Sequence, residues 1–192
     1  MELIFIRNGQ GEHTLNMPSS LHIQDPALTK EGILQAQLLR NQFLLSETDL
    51  IVISPIRRTL QTAMIWSEGI DCTKIITPLV SPRIFPFKKK SKTLPCDELM
   101  RREVIKIEFA KYTLQEDLPS HLSDNGINTL LEQEFNLFAN KFLRWCKQQK
   151  KKRIYIVSHD GTITSYRQII LDKKLTRDDF STDAGWYQVT YP

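Results

Sequence analysis

Cysteine is scarce in this chain and odd in number. Cys72, Cys96 and Cys146 stand far apart, so neither a disulfide framework nor a Cys-x-x-Cys metal site can be drawn from them. Long apolar runs are missing as well. Nothing approaches the ~20 consecutive apolar residues of a membrane-spanning helix, and no membrane partner is expected. Met1-Glu2-Leu3 lacks the basic start of a secretory leader, and the apolar run behind it is short, which predicts a cytoplasmic location. Charge of one sign is also in short supply. A net charge of +4 favours an anionic partner without calling for nucleic acid, because no basic stripe interleaves with aromatics. The clusters Lys88-Lys89-Lys90 and Lys150-Lys151-Lys152-Arg153 read as solvated faces. What remains is 192 residues, 41% apolar and 25% charged, an ordinary globular mixture with room for one sizeable core. One domain over residues 1–192 is the expectation.

Strand and helix signals alternate along the chain, which predicts an α/β fold, a three-layer α/β/α sandwich around a mostly parallel sheet. Glu2–Ile6, Asp49–Ile53, Lys74–Ile76, Ile154–Val157 and Tyr187–Tyr191 read as strands. Thr29 reads as the N-cap of a helix running to about Phe43, with Ala36, Leu39 and Phe43 on one stripe. Ser54 is expected to cap a second helix with Pro55 at its first position, and Gly69 to end it. Leu131, Phe135, Phe138, Phe142 and Trp145 fall at helical spacing and read as core. Another helix is expected over Ile163–Leu171. From Pro78 to about Asn125 prolines punctuate the chain and periodicity fails. That stretch reads as a mostly irregular insertion over the pocket, with a helical piece near Glu98–Lys111.

Three motifs carry chemistry. The first strand opens into Arg7-Asn8-Gly9-Gln10-Gly11-Glu12-His13. The second apolar strand leads into Ser54-Pro55-Ile56-Arg57-Arg58-Thr59-Leu60-Gln61-Thr62-Ala63. The late strand opens into Ser158-His159-Asp160-Gly161-Thr162. In open α/β sheets the carboxyl ends of strands line the ligand crevice, so Arg7, Arg58 and His159 should converge on one point. Guanidinium forks match phosphoryl oxygens in bidentate fashion, and the charge makes those bonds strong. Alone, Arg7 would be a surface arginine, Arg57 and Arg58 a helix charge pair, and His159 a satisfied core histidine.

In order and approximate spacing, the three motifs together closely resemble the histidine phosphatase superfamily, the phosphoglycerate-mutase-like family. The resemblance covers residues 2–16, 28–39, 50–66 and 153–163. It implies that Arg7, Arg58 and His159 bind phosphate, that the substrate is a small phosphorylated molecule or phosphate itself, and that no metal or other cofactor takes part. Position 8 would hold the histidine nucleophile that takes the phosphoryl group, and here it is Asn8. The Gln10-Gly11-Glu12-His13 form puts Gln10 and His13 at the substrate or at the pocket rim. Thr14 stands where members often carry asparagine, with Asn16 nearby. The Leu-x-Glu acid of many members has no counterpart in Ser81-Pro82-Arg83-Ile84-Phe85. Asp160, directly after His159, resembles the His-Asp proton donor of the acid phosphatase branch; the alternative is that it only caps the next helix, and Glu12, Asp97 and Glu98 stand behind it as candidates.

An asparagine amide nitrogen has its lone pair delocalised into the carbonyl and cannot carry a transferable phosphoryl group. Loss of the nucleophile in a covalent mechanism removes up to about 10⁶ in turnover. The expectation is therefore a phosphomonoester hydrolase by parentage that binds phosphate and barely turns it over. The alternative is a natural pseudoenzyme, a phospholigand-binding or protein-interaction module.

Overall fold

All five of the expected strands end up in a six-stranded sheet in the computed structural model, which describes residues 1–192. The strands are β1 (Glu2–Arg7), β2 (Leu50–Ile53), β3 (Thr73–Ile76), β4 (Thr113–Leu114), β5 (Arg153–Ser158) and β6 (Trp186–Thr190), in the spatial order β4-β3-β2-β5-β1-β6. Only β6 runs antiparallel, paired to β1. The middles of β1, β2 and β5 are continuous apolar runs because both faces of the sheet are covered. On one face lie α4 (Ser120–Asn125), α5 (Glu132–Gln148) and α6 (Asp160–Leu171). There Phe135, Phe142 and Tyr166 close over Leu3, Phe5, Val52 and Ile156. On the other lie α1 (Lys30–Gln42), α2 (Arg57–Trp66) and α3 (Arg102–Glu108). Leu39, Leu60, Trp66 and Ile105 pack there on Ile4, Ile51, Tyr155 and Val157. This is the expected three-layer arrangement.

The sheet order is what positions chemistry. β5, late in the chain, inserts between β1 and β2, with Arg7 opposite Ser158 and Ile53 opposite Val157. The residues that follow these three strands, Asn8, Ser54 and His159, therefore emerge side by side at one edge. A second constraint comes from glycine. A Cβ on Gly9 would meet the carbonyl oxygen of Gly32 at 2.5 Å, and one on Gly32 would collide with the Gln10 carbonyl. The first loop and the first turn of α1 thus touch backbone to backbone, which only glycine permits. Thr29 caps α1 as expected, its Oγ1 accepting from the Gly32 amide at 3.0 Å.

Several expectations need correction. Ser54 is not the cap of α2. The helix begins at Arg57 behind Ile56, because the Ser54 hydroxyl is engaged by His159 instead. The helical piece of the middle segment is shorter than expected, Arg102–Glu108. That segment also supplies β4, which pairs in parallel with β3. α6 starts at Asp160, three residues before the expected Ile163. No helix is long and apolar enough to cross a membrane.

Candidate active site

Arg58 organises the edge. It projects from the first turn of α2 and is 2% exposed. Its terminal nitrogens donate to the Cys96 carbonyl at 2.6 Å, to Asp97 Oδ1 at 2.8 Å and to His159 Nδ1 at 3.3 Å. Since a guanidinium only donates, His159 Nδ1 must accept. The ring's proton then sits on Nε2, 2.8 Å from the Ser54 hydroxyl oxygen. His159 is held neutral, its pKa pushed well below the usual histidine value by burial first, then by Arg58, His13 and Arg7.

His13 lies in the same field. It sits in a single helical turn, Glu12–Thr14, and its pKa is lowered to about 3 by burial, Arg58 and Arg7 in that order. Both imidazoles feel both arginines, so the four groups share one place. Two polar atoms there have no protein partner although they are buried, Arg58 Nε and His13 Nδ1. The His13 ring and the Arg58 stem both lie over Gly11, where a Cβ would meet His13 Nδ1 at 2.6 Å and Arg58 Cδ at 3.1 Å.

The depressed His13 pKa has a consequence for stability. Between the ordinary histidine value of 6.5 and about 3, the unfolded chain carries a proton on His13 that the folded chain refuses, so stability falls as pH drops through that window. His159 adds to the same trend. Urea unfolding at about pH 7 and about pH 5 is expected to show the loss, and His13→Gln to make it shallower. An unchanged loss in the variant would remove His13 as a cause.

Arg7 is close by but turned to other partners. It donates to the Ser181 carbonyl at 2.6 Å and lies 3.3 Å from Asp160 Oδ2 and 3.2 Å from Asp183 Oδ1. Asp160 Oδ1 accepts from the Gly161 amide at 2.7 Å in the first turn of α6, which begins behind His159, while Oδ2 faces Arg7. Asn8 is 4% exposed, and its Nδ2 donates to the Gly9 carbonyl at 2.8 Å. The Gly9 amide in turn donates to Thr62 Oγ1 at 3.1 Å. Gln10 points elsewhere, its Oε1 accepting from Thr29 Oγ1 at 2.8 Å, and this ties the loop to α1. Glu12 accepts from the Ala27 amide at 3.0 Å, a loop brace. Arg83, in place of the absent acid, is buried against the Ile127 and Leu130 carbonyls, each at 3.0 Å.

Sequence reasoning missed Ser54 as a partner of His159, Thr62, and the Ser181–Asp183 segment that holds Arg7. Thr62 lay inside the second motif and was legible as a hydroxyl one turn after Arg58. Nothing local marks Ser181 or Asp183, which lie far along the chain from Arg7.

Residues 3–80 match the family model of the histidine phosphatase superfamily (branch 1). Among solved structures, the alpha-ribazole phosphatase of Shigella flexneri covers 99% of this chain and 90% of its own, at a TM-score of 0.62 and 20% identity. A phosphoserine phosphatase variant of Entamoeba histolytica, in complex with phosphoserine, covers 97% and 89% at 0.59 and 24%. The chain shares its fold with these two phosphatases. A phosphoglycerate mutase-like protein of Arabidopsis thaliana is 29% identical over 187 residues, 81% of this chain and 67% of the relative. The chain spans about two thirds of the length of the curated relatives it matches, 67% and 64%.

Proposed function

We propose that the chain is a histidine phosphatase superfamily member, a single domain whose parent form hydrolyses small phosphomonoesters through a phosphohistidine at position 8. As it stands, it holds phosphate without turning it over. The observation that carries the reading is the pair of buried, partnerless atoms, Arg58 Nε and His13 Nδ1, on two side chains that meet over Gly11. Buried polar atoms are almost always satisfied. With His13 in its Nδ1–H tautomer, an acceptor-rich, negatively charged ligand oxygen supplies what both lack, and a phosphate brings several such oxygens. The fold and the family match on residues 3–80 support the same conclusion.

In the parent form, a histidine Nε2 at position 8 would attack phosphorus while the ester P–O bond breaks. The leaving oxygen would take a proton from a carboxylic acid, and water would then cleave the P–N bond to release phosphate. Asp160 is the proposed acid, with Asp97 as its rival: Asp97 also lines the cleft in which an alcohol portion would lie. Residues 78–125 cover this side of the site, since the Cys96 carbonyl and Asp97 receive Arg58 and Phe85 packs against Gly161.

A second reading, a phospholigand-binding module without parent-like catalysis, draws on the way Arg7 is already satisfied by Asp160, Asp183 and Ser181. Titration calorimetry with inorganic phosphate tests the shared core of both. Saturable binding at one site per chain is expected, with His13→Gln weakening it. Absence of binding would end the phosphate assignment.

A further inference from the structure

A cleft of about 410 Å³ opens beside the Arg58 cluster and shares Asp97 with it. Three stretches of chain build it, one of them represented by Asn128 alone. The loop after Arg83 contributes Ile84, Phe85, Pro86, Lys88 and Lys92, and the short turn at Arg177–Asp179 contributes Arg177. They are brought together by Phe85 and Phe180, whose ring centroids lie 5.8 Å apart, with Arg177 over the Phe180 ring at 5.5 Å. Lys88, Lys92 and Arg177 make no ion pair with any carboxylate of the chain. The one acid in the lining, Asp97, is already held by Arg58 at 2.8 Å. Three cations therefore face one cleft without a protein counter-charge.

Asn128 adds a second, independent signal on the same wall. It is 2% exposed, and its Nδ2 donates to Thr93 Oγ1 at 3.2 Å. Its Oδ1 is buried and accepts no hydrogen bond. A buried acceptor without a donor costs free energy unless a ligand supplies one. The cleft thus asks for negative charge and for a hydroxyl, while aromatic and proline surface shapes the rest of it.

The geometry points to a second anion subsite, in which Lys88, Lys92 and Arg177 bind a carboxylate or second phosphate on the alcohol portion of the phosphoester, with a hydroxyl of the same ligand donating to Asn128 Oδ1. This rests on the phosphate site proposed above, from which the alcohol portion extends past Asp97 into the cleft. The substrate class it defines is the phosphomonoester of a hydroxylated, anionic alcohol. Uncharged alcohols and aryl phosphates belong to a weaker class for this chain.

Calorimetric titration of the chain with Asn8 in place tests this without turnover. The probes are inorganic phosphate, glycerol 3-phosphate, 3-phosphoglycerate, fructose 6-phosphate and fructose 1,6-bisphosphate. The expected result is at least about tenfold tighter binding of the second anion-bearing member in one or both pairs, as charge-assisted contacts to a further anion imply. A preference in the glycerol pair assigns the subsite to a carboxylate, and one in the fructose pair to a phosphate. Lys88→Gln with Lys92→Gln and Arg177→Gln should abolish the preference and leave affinity for inorganic phosphate unchanged. Lys150→Gln, Lys151→Gln and Lys152→Gln together remove the same formal charge elsewhere and should leave the preference intact. Equal affinity within both pairs, loss of preference in both triple variants, or persistence in the first overturns the subsite while phosphate binding stands. Failure of every probe, inorganic phosphate included, overturns the phosphate site and the subsite with it.

Discussion

Asn8→His is expected to raise turnover of an aryl phosphate by several orders of magnitude, up to about 10⁶ by analogy with nucleophile loss elsewhere. The site is already arranged for the exchange. Asparagine Nδ2 and histidine Nδ1 stand at the same remove from the backbone, so the bond from Asn8 to the Gly9 carbonyl is one that an imidazole Nδ1–H can inherit. That bond fixes the tautomer and leaves Nε2 with its lone pair free. Acid quench of the variant should capture an acid-labile phosphoenzyme, and affinity for inorganic phosphate should change little. In that background Asp160→Asn and Asp97→Asn separate the two candidate acids. The true donor slows substrates with poor leaving groups most, by about 10²–10⁴, and spares a good leaving group. A histidine variant inert across a broad phosphomonoester panel would leave the binding-module reading in possession.

Arg58→Met is expected to weaken inorganic phosphate binding about 100-fold. Two charge-assisted donors at roughly 1.5 kcal/mol each amount to about 3 kcal/mol, and every 1.4 kcal/mol is tenfold. Methionine keeps much of the buried stem, so the change is mainly one of charge and donors. The variant also strands the Asp97 carboxylate and the Cys96 carbonyl, each now bound by the guanidinium, at a stability cost of about 1–3 kcal/mol. Adding Asp97→Asn should recover part of that stability in urea unfolding and none of the phosphate affinity. A folded Arg58→Met chain that binds phosphate normally would place the anion elsewhere.

The layered fold was legible because β1, β2 and β5 are buried on both faces and so read as unbroken apolar runs, while Phe135 and Phe142 mark the core stripe of α5. The convergence of Arg58 and His159 was legible too, from the rule that strand ends line the crevice. β4 was not, since Thr113-Leu114 is too short to show a period and owes its conformation to pairing with β3. Ser54 misled for a physical reason. A serine before a helix is a good local cap, but a buried imidazole N–H offered its oxygen a better partner. Arg7 shows the opposite limit: its place beside phosphate was expected from its loop, whereas Ser181 and Asp183, which engage it, reach it only through the pairing of β6 with β1.

The Gly9 carbonyl that receives Asn8 has a genetic side. Either asparagine codon becomes a histidine codon by changing its first base, so the histidine form lies a single transversion away. The acceptor, Thr62 and Arg58 already stand around that position. Sampling codon 8 among close relatives would show which side of that single change they occupy.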